Sequence, residues 1–251
     1  MPVDLLFAWL MVLLRAAGVV TLLPSLGAKP LPPTLRVGFA VCVATLLYGI
    51  VPHAHLNGLD PGRIALAVAG EVLIGLSMGF IGRLVFAAVE MAGRIIVTEI
   101  GLIAGPGFDT PTPEHEPVPA YLSMFAGVMF FLLGGHLGVL RAFARSFDFA
   151  AAGAPGFGTG AIEALVQITA GSIELGVRIA APFIALNFLV NLAFSILGRA
   201  VPRMGVFVLS FPVRVLVGMA LLAGSGSLLG RYLWGEFDAL PLRILQILPV
   251  H

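Results

Sequence analysis

The sequence predicts an all-α protein built of membrane or membrane-linked helical hairpins, about seven or eight helical pieces in a single domain covering residues 1–251. Three observations carry this. Of the 251 residues 59% are hydrophobic and only 11% charged, where a soluble domain carries about 25% charged residues. The apolar residues gather in six long blocks separated by Pro- and Gly-rich punctuation. No alternation of period two persists, so strands are not expected. Mean hydropathy is +1.05, which excludes a free soluble domain and requires lipid or apolar protein around much of the surface. Fourteen basic and 13 acidic residues leave neither a polybasic patch nor an acidic tail, so nucleic acid is not an expected partner.

The first block, Leu5–Leu23, is near the length of one membrane-crossing helix. The residues before it, Met1-Pro-Val-Asp4, lack a basic leader and no small-residue cleavage site follows, so it reads as a retained helix rather than a signal peptide. Pro24 to Pro33 interrupts the chain before the second block, Leu35–Val51, again one helix. Cys42, inside it, is the sole cysteine. It allows no intrachain disulfide or Cys-based metal site, and is expected to be a small core residue. After Pro52 to Pro61 comes Ile64–Gly105, too long for one simple span and carrying Glu71, Arg83, Glu90, Arg94 and Glu99. It predicts a bent helix or a hairpin. The fourth block, Ala120–Phe143, predicts one span. The fifth, Ala161–Leu197, holds Glu163, Glu174, Arg178 and Pro182 and predicts a second bent helix or hairpin. Val206–Leu233 closes the series as one helix. Gly75 with Gly79, and Gly226 with Gly230, have the four-residue spacing that lets helices approach closely.

Ionisable groups in apolar helices must pair, face water or snorkel. Glu90 with Arg94, and Glu174 with Arg178, are spaced to meet on one helical face. Glu71 has no cation within a turn, and it is the one reasonable candidate for the isolated carboxylate of a proton-coupled transporter. Hydrolysis finds little support: Ser123, Ser146, Ser172, Ser195 and Ser210 sit in no nucleophile-elbow setting, and His136 has no dyad partner in the sequence. Glu114-His115-Glu116 are consecutive in a Pro-rich loop and lack the i,i+4 spacing that converges metal ligands. No catalytic, cofactor or metal residue is assigned.

The run Phe183–Val217 contains Asn191, Leu197-Gly-Arg199-Ala-Val-Pro202 and Ser210-Phe211-Pro212-Val-Arg214. It resembles the C-terminal signature of the FliR/SctT family, the export-gate subunits of flagellar and virulence-type type III secretion. Other pieces keep the family's order: Pro24 to Gly38, Glu71-Val-Leu-Ile-Gly75-Leu-Ser-Met-Gly79, Phe86 to Gly93, Ile100-Gly101-Leu, Asp109, Pro117-Val118, Gly135-His136-Leu and Arg141. The chain departs from the pattern at Glu99, where Gln is frequent, at Asp109-Thr110, and at Pro202-Arg203-Met204-Gly205.

The resemblance implies an export-gate architecture of the FliP/FliR kind, with one copy of this chain beside FliP-like and FliQ-like subunits and an FlhB-like export protein. It implies a multi-pass location in the bacterial inner membrane at the flagellar basal body, contact with lipid, and passage of exported unfolded proteins. It assigns a channel plug to residues 101–119, with Ile103, Gly105, Pro106, Gly107, Phe108 and Asp109 at its centre, and a subunit interface to Arg199, Pro202, Phe211 and Pro212. Glu71-Val-Leu-Ile-Gly-Leu and Ser210-Phe-Pro212 favour the flagellar branch. A virulence-type gate subunit, and a proton-coupled small-molecule transporter relying on Glu71, are the alternatives.

Overall fold

The computed structural model describes residues 3–22, 32–52, 60–102, 117–200 and 206–249. Eight helices follow one another among them: α1 (Val3–Leu22), α2 (Pro33–Leu47), α3 (Pro61–Ile100), α4 (Pro117–Leu132), α5 (Gly135–Phe149), α6 (Ala161–Ala200), α7 (Val206–Gly224) and α8 (Gly226–Leu245). Prolines open three of them. Pro33 and Pro61 stand in the first turn of α2 and α3, where a missing N–H costs nothing because that donor has no intrahelical partner. α3 ends at Gly101, whose φ of 86° is left-handed. The Gly101 N–H bonds Thr98 O at 3.2 Å and the Leu102 N–H bonds Val97 O at 3.1 Å, the paired bonds of a Schellman termination.

The break pattern is the reverse of the one the sequence predicts. The two blocks expected to hold a bent helix or a hairpin instead supply uninterrupted helices of 40 residues each, α3 over residues 61–100 and α6 over residues 161–200, with Pro182 accommodated inside α6. The charges that suggested hairpins are instead paired or exposed. The two late blocks expected to be single helices are bent pairs: α4 and α5 meet at 65°, and α7 and α8 at 52°. Gly134, at φ 71°, makes the first corner. Ser225, whose hydroxyl bonds Leu222 O at 2.8 Å, makes the second. Among the described residues three helices are long and apolar enough to cross a membrane, or up to five spans if each bent pair counts as one.

α3 is the central rod, and glycines set how closely its neighbours lie. A Cβ on Gly75 would stand 2.3 Å from Arg15 O, one on Gly79 2.7 Å from Val19 O, and one on Gly18 2.7 Å from Leu76 N, so α1 and α3 cross backbone to backbone. Gly226 meets nothing within 4 Å and Gly230 only the end of Met129 at 3.5 Å; of the two expected close approaches, only the first exists. Phe86 of α3, Phe130 of α4 and Phe237 of α8 join these helices, with ring centroids 5.2 to 5.8 Å apart. α2 rests on α1 through Ala40 and Ala44, its two buried residues. Cys42 lies on the other side and is exposed, which corrects its expected place in the core.

Candidate functional site

Three features stand out once the helices are in place: a buried ionic clamp, a polar chain at the end of α3, and an uncovered face of α6. The clamp follows from the α1–α3 crossing. Without side chains at Gly75 and Gly18 the helices close until Arg15 reaches Glu71, and both side chains are fully buried. Arg15 Nε donates to Glu71 Oε2 at 2.5 Å, Nη1 to Ser146 Oγ at 2.9 Å and Nη2 to Ala150 O at 2.9 Å. The guanidinium carbon lies 4.0 Å from the ring centre of Phe147. Glu71 Oε1 accepts the Gly153 N–H at 2.9 Å, and Ser146 Oγ donates onward to Phe143 O at 2.7 Å. A buried charge is tolerable when paired and hydrogen-bonded, and here both conditions hold. Glu71 is therefore not isolated. The partner stands 56 residues upstream on another helix, so spacing could not reveal it. The feature on which a transporter depends becomes a tie among α1, α3, α5 and the segment following α5.

The second feature links Glu99 in the last turn of α3 to Asn187 and Asn191 of α6 and Arg214 of α7. Asn187 Nδ2 donates to Glu99 Oε2 at 2.5 Å, Asn191 Nδ2 to Asn187 Oδ1 at 3.1 Å, and Arg214 Nη2 to Asn191 Oδ1 at 2.5 Å. The two amides carry polarisation from a carboxylate to a guanidinium, which strengthens each bond along the line. Beside it the Phe211 ring lies 3.4 Å from where a Gly101 Cβ would be, so α7 is seated against the point at which α3 ends. Asn187 escaped sequence reasoning. Its i,i+4 spacing to Asn191, in an otherwise apolar stretch, was the available signal.

The third feature is the outer face of α6. Ile162, Ile173 and Ile184 are 75%, 54% and 39% exposed, and Val166, Val177 and Phe188 are 63%, 46% and 65% exposed. Each trio is spaced by 11 residues, three helical turns, so the six share one side of the helix. The next step from Phe188 is Arg199, also exposed. Beyond Phe183 no residue of α6 is buried. Glu174 and Arg178 form their expected pair at 2.6 Å on the exposed surface; Glu90 and Arg94 are both exposed on α3.

Residues 6–240 match the family described as Bacterial export proteins, family 1. The chain belongs to that family. Among its relatives are the flagellar biosynthetic protein FliR of Escherichia coli K12, 29% identical over 244 residues, with 95% of this chain and 92% of the relative covered. The FliR of Caulobacter vibrioides is 31% identical, covering 86% of this chain and 87% of the relative. The Yop proteins translocation protein T of Yersinia pestis is 25% identical, covering 86% and 85%. The higher two of these identities, 31% and 29%, are to flagellar proteins, while the secretion system apparatus protein SsaT of Salmonella typhimurium is 28% identical, covering 83% of this chain and 81% of the relative. Membership in this export family, together with helices of membrane-crossing length, makes the chain a multi-pass inner-membrane component of a type III export apparatus.

The expected site residues of this family 1 protein divide into two groups. Arg199, Phe211 and Pro212 are described and exposed: Arg199 ends α6, while Phe211 and Pro212 sit in α7. Ile103, Gly105, Pro106, Gly107, Phe108 and Asp109, and also Pro202, lie outside the described residues, as do Glu114, His115 and Glu116. Among the described residues no group of three His, Cys, Asp or Glu side chains could hold a metal ion.

Proposed function

We propose that this family 1 protein is the FliR-type structural subunit of a flagellar type III export gate and forms part of the wall through which unfolded proteins cross the inner membrane. The observation that carries the reading is the length over which α6 leaves apolar side chains exposed, around more than one side of the helix beyond Phe188. From Ile162 to Leu197 it runs about 50 Å at 1.5 Å per residue, against a hydrocarbon core of about 30 Å. A tilt of about 40° still projects it over roughly 40 Å. Wherever the helix sits, exposed Ile, Val and Phe side chains extend past the lipid and need protein to cover them. A subunit of a multi-chain gate has such cover; a free-standing transporter does not.

In this reading the face of α6, with Arg199 at its end and Phe211 and Pro212 of α7 nearby, receives FliP-like and FliQ-like neighbours, and an FlhB-like protein joins the assembly. Pro202 belongs to the same interface. Residues 101–119 form the plug, with Ile103 and Gly105 to Asp109 at the constriction, and α3 delivers the chain to it at Gly101. The whole chain works as one helical unit that positions and seals rather than reacts. Arg199 pairs with a carboxylate of a FliP-like neighbour, since a lone guanidinium on an apolar face is costly. Arg199→Ala is expected to reduce recovery of the assembled gate and export together, and unchanged values of both would remove that pairing.

Co-expression with the FliP-like and FliQ-like proteins of the same genome, detergent extraction and native mass measurement tests the reading. The expected species is one complex holding a single copy of this chain. A free monomer or homo-oligomer would overturn it. Exchange of these partners for their virulence-type equivalents separates the two branches, because only the matching set should assemble.

A further inference from the structure

A cavity of about 330 Å³ lies between α1, α2, α4 and α5. Its walls include Ala16 of α1, Phe39 and Val43 of α2, Phe131 of α4, and His136 and Leu140 of α5, and every lining residue except His136 is apolar. Buried water needs about two to four polar partners, and one imidazole cannot supply them, so water is a poor filling. An apolar cavity of about 150 Å³ stays dry and takes up benzene, so this one has space for on the order of a dozen carbon atoms.

The mouth of the cavity opens among exposed apolar side chains. Phe39, Phe131 and Leu140 are 51%, 44% and 37% exposed, and Leu35 and Leu46 extend the apolar surface along the same side of α2. A partner helix, about 10 Å across, is too thick to enter the volume. α2 has 15 residues, about 22 Å at 1.5 Å per residue. Lipid that accommodates so short a helix by local thinning would bring its ester level toward the cavity. There the ring of His136 stacks on Phe131 with centroids 5.0 Å apart. Its Nδ1 is buried and has no hydrogen-bond partner among the described residues, a costly condition unless a guest supplies one.

We propose that this cavity binds one acyl chain of a membrane phospholipid, with an ester oxygen of the lipid hydrogen-bonded to His136 Nδ1. The inference rests on the membrane location and not on the gate reading, so the two fail independently. The test uses the full chain, co-expressed with its gate partners, in vesicles of phosphatidylethanolamine and phosphatidylglycerol. A trace of phosphatidylethanolamine bearing a mid-chain diazirine is photolysed and the adducts are mapped. Adducts are expected on Val43 and Leu140 as well as on outward Leu46, which serves as the internal reference. Val43→Trp, which fills the cavity, should cut the Leu140 adduct roughly tenfold relative to Leu46, because close-packed walls leave no room for both indole and chain. His136→Phe keeps the ring and removes the nitrogen, and should lower the same ratio by a smaller factor. Labelling confined to Leu46 and Ile50, or a Leu140 ratio unmoved by Val43→Trp, would overturn the proposal. So would loss of cavity labelling in the assembled gate with retention in the isolated chain, since a neighbouring subunit would then be the occupant.

Discussion

Arg15 and Glu71 are the residues at which burial and charge are in sharpest conflict. Removing one partner leaves the other uncompensated in the core, at a cost of about 3–5 kcal/mol. Arg15→Ala or Glu71→Ala is therefore expected to abolish a detergent-stable chain, measured as loss of monodisperse protein on size exclusion. Arg15→Met combined with Glu71→Leu replaces charge with apolar volume and should recover most of that stability. Export by the double variant would show that neither residue moves a proton. Glycine makes the pairing possible. Gly75→Leu drives a side chain into the Arg15 carbonyl, 2.3 Å from where even a Cβ would stand, and should cost at least as much as breaking the ion pair, about 3 kcal/mol or more. Gly230→Ala meets only a flexible Met129 terminus at 3.5 Å and should raise the melting temperature slightly, since alanine is better than glycine inside a helix by up to about 1 kcal/mol.

At the scale of elements, deletion of residues 105–109 tests the plug. Gate assembly should persist, because α3 and α4 are anchored by their own packing, while the closed gate should leak ions in a planar-bilayer conductance measurement. An unchanged conductance would count against the plug. The same helices show what the sequence made legible. Pro33 and Pro61 mark helix starts because proline fixes φ where no donor is needed, and the glycine at 101 marks the end of α3. The continuity of α3 and α6 was hidden, since charges in an apolar run resemble interruptions until their partners are known. Glu71 is paired with a residue on a different helix, Glu99 with Asn187, and Pro182 sits in a helix long enough to absorb it. The α4–α5 corner was visible as Gly134-Gly135, yet block length outweighed it. Of the candidate site, Arg199, Phe211 and Pro212 followed from a resemblance in the C-terminal signature. The Glu99–Asn187–Asn191–Arg214 chain did not, because hydrogen bonds among α3, α6 and α7 depend on how those helices are placed.

For the molecule as a whole, the decisive property is the face of α6 that its own fold leaves bare. Phe188 is 65% exposed, so Phe188→Glu should leave the chain's own stability within about 0.5 kcal/mol. Burial of that carboxylate against a neighbour is penalised, so co-purification of the gate partners should be lost. Retention of the partners would place the contact surface elsewhere. The Arg15 clamp also bears on how such a chain is made. Its partners at Glu71, Ser146 and Ala150 are synthesised well after it. At about 5–20 residues per second the ribosome needs on the order of ten seconds to supply them all. Until Glu71 is made, 56 residues later, the first helix carries an unmatched cation, which disfavours membrane insertion by about 3 kcal/mol. The N-terminal helix is therefore neutralised only when α3 emerges, and a nascent chain stalled before Glu71 presents an unsettled first span to proteolysis.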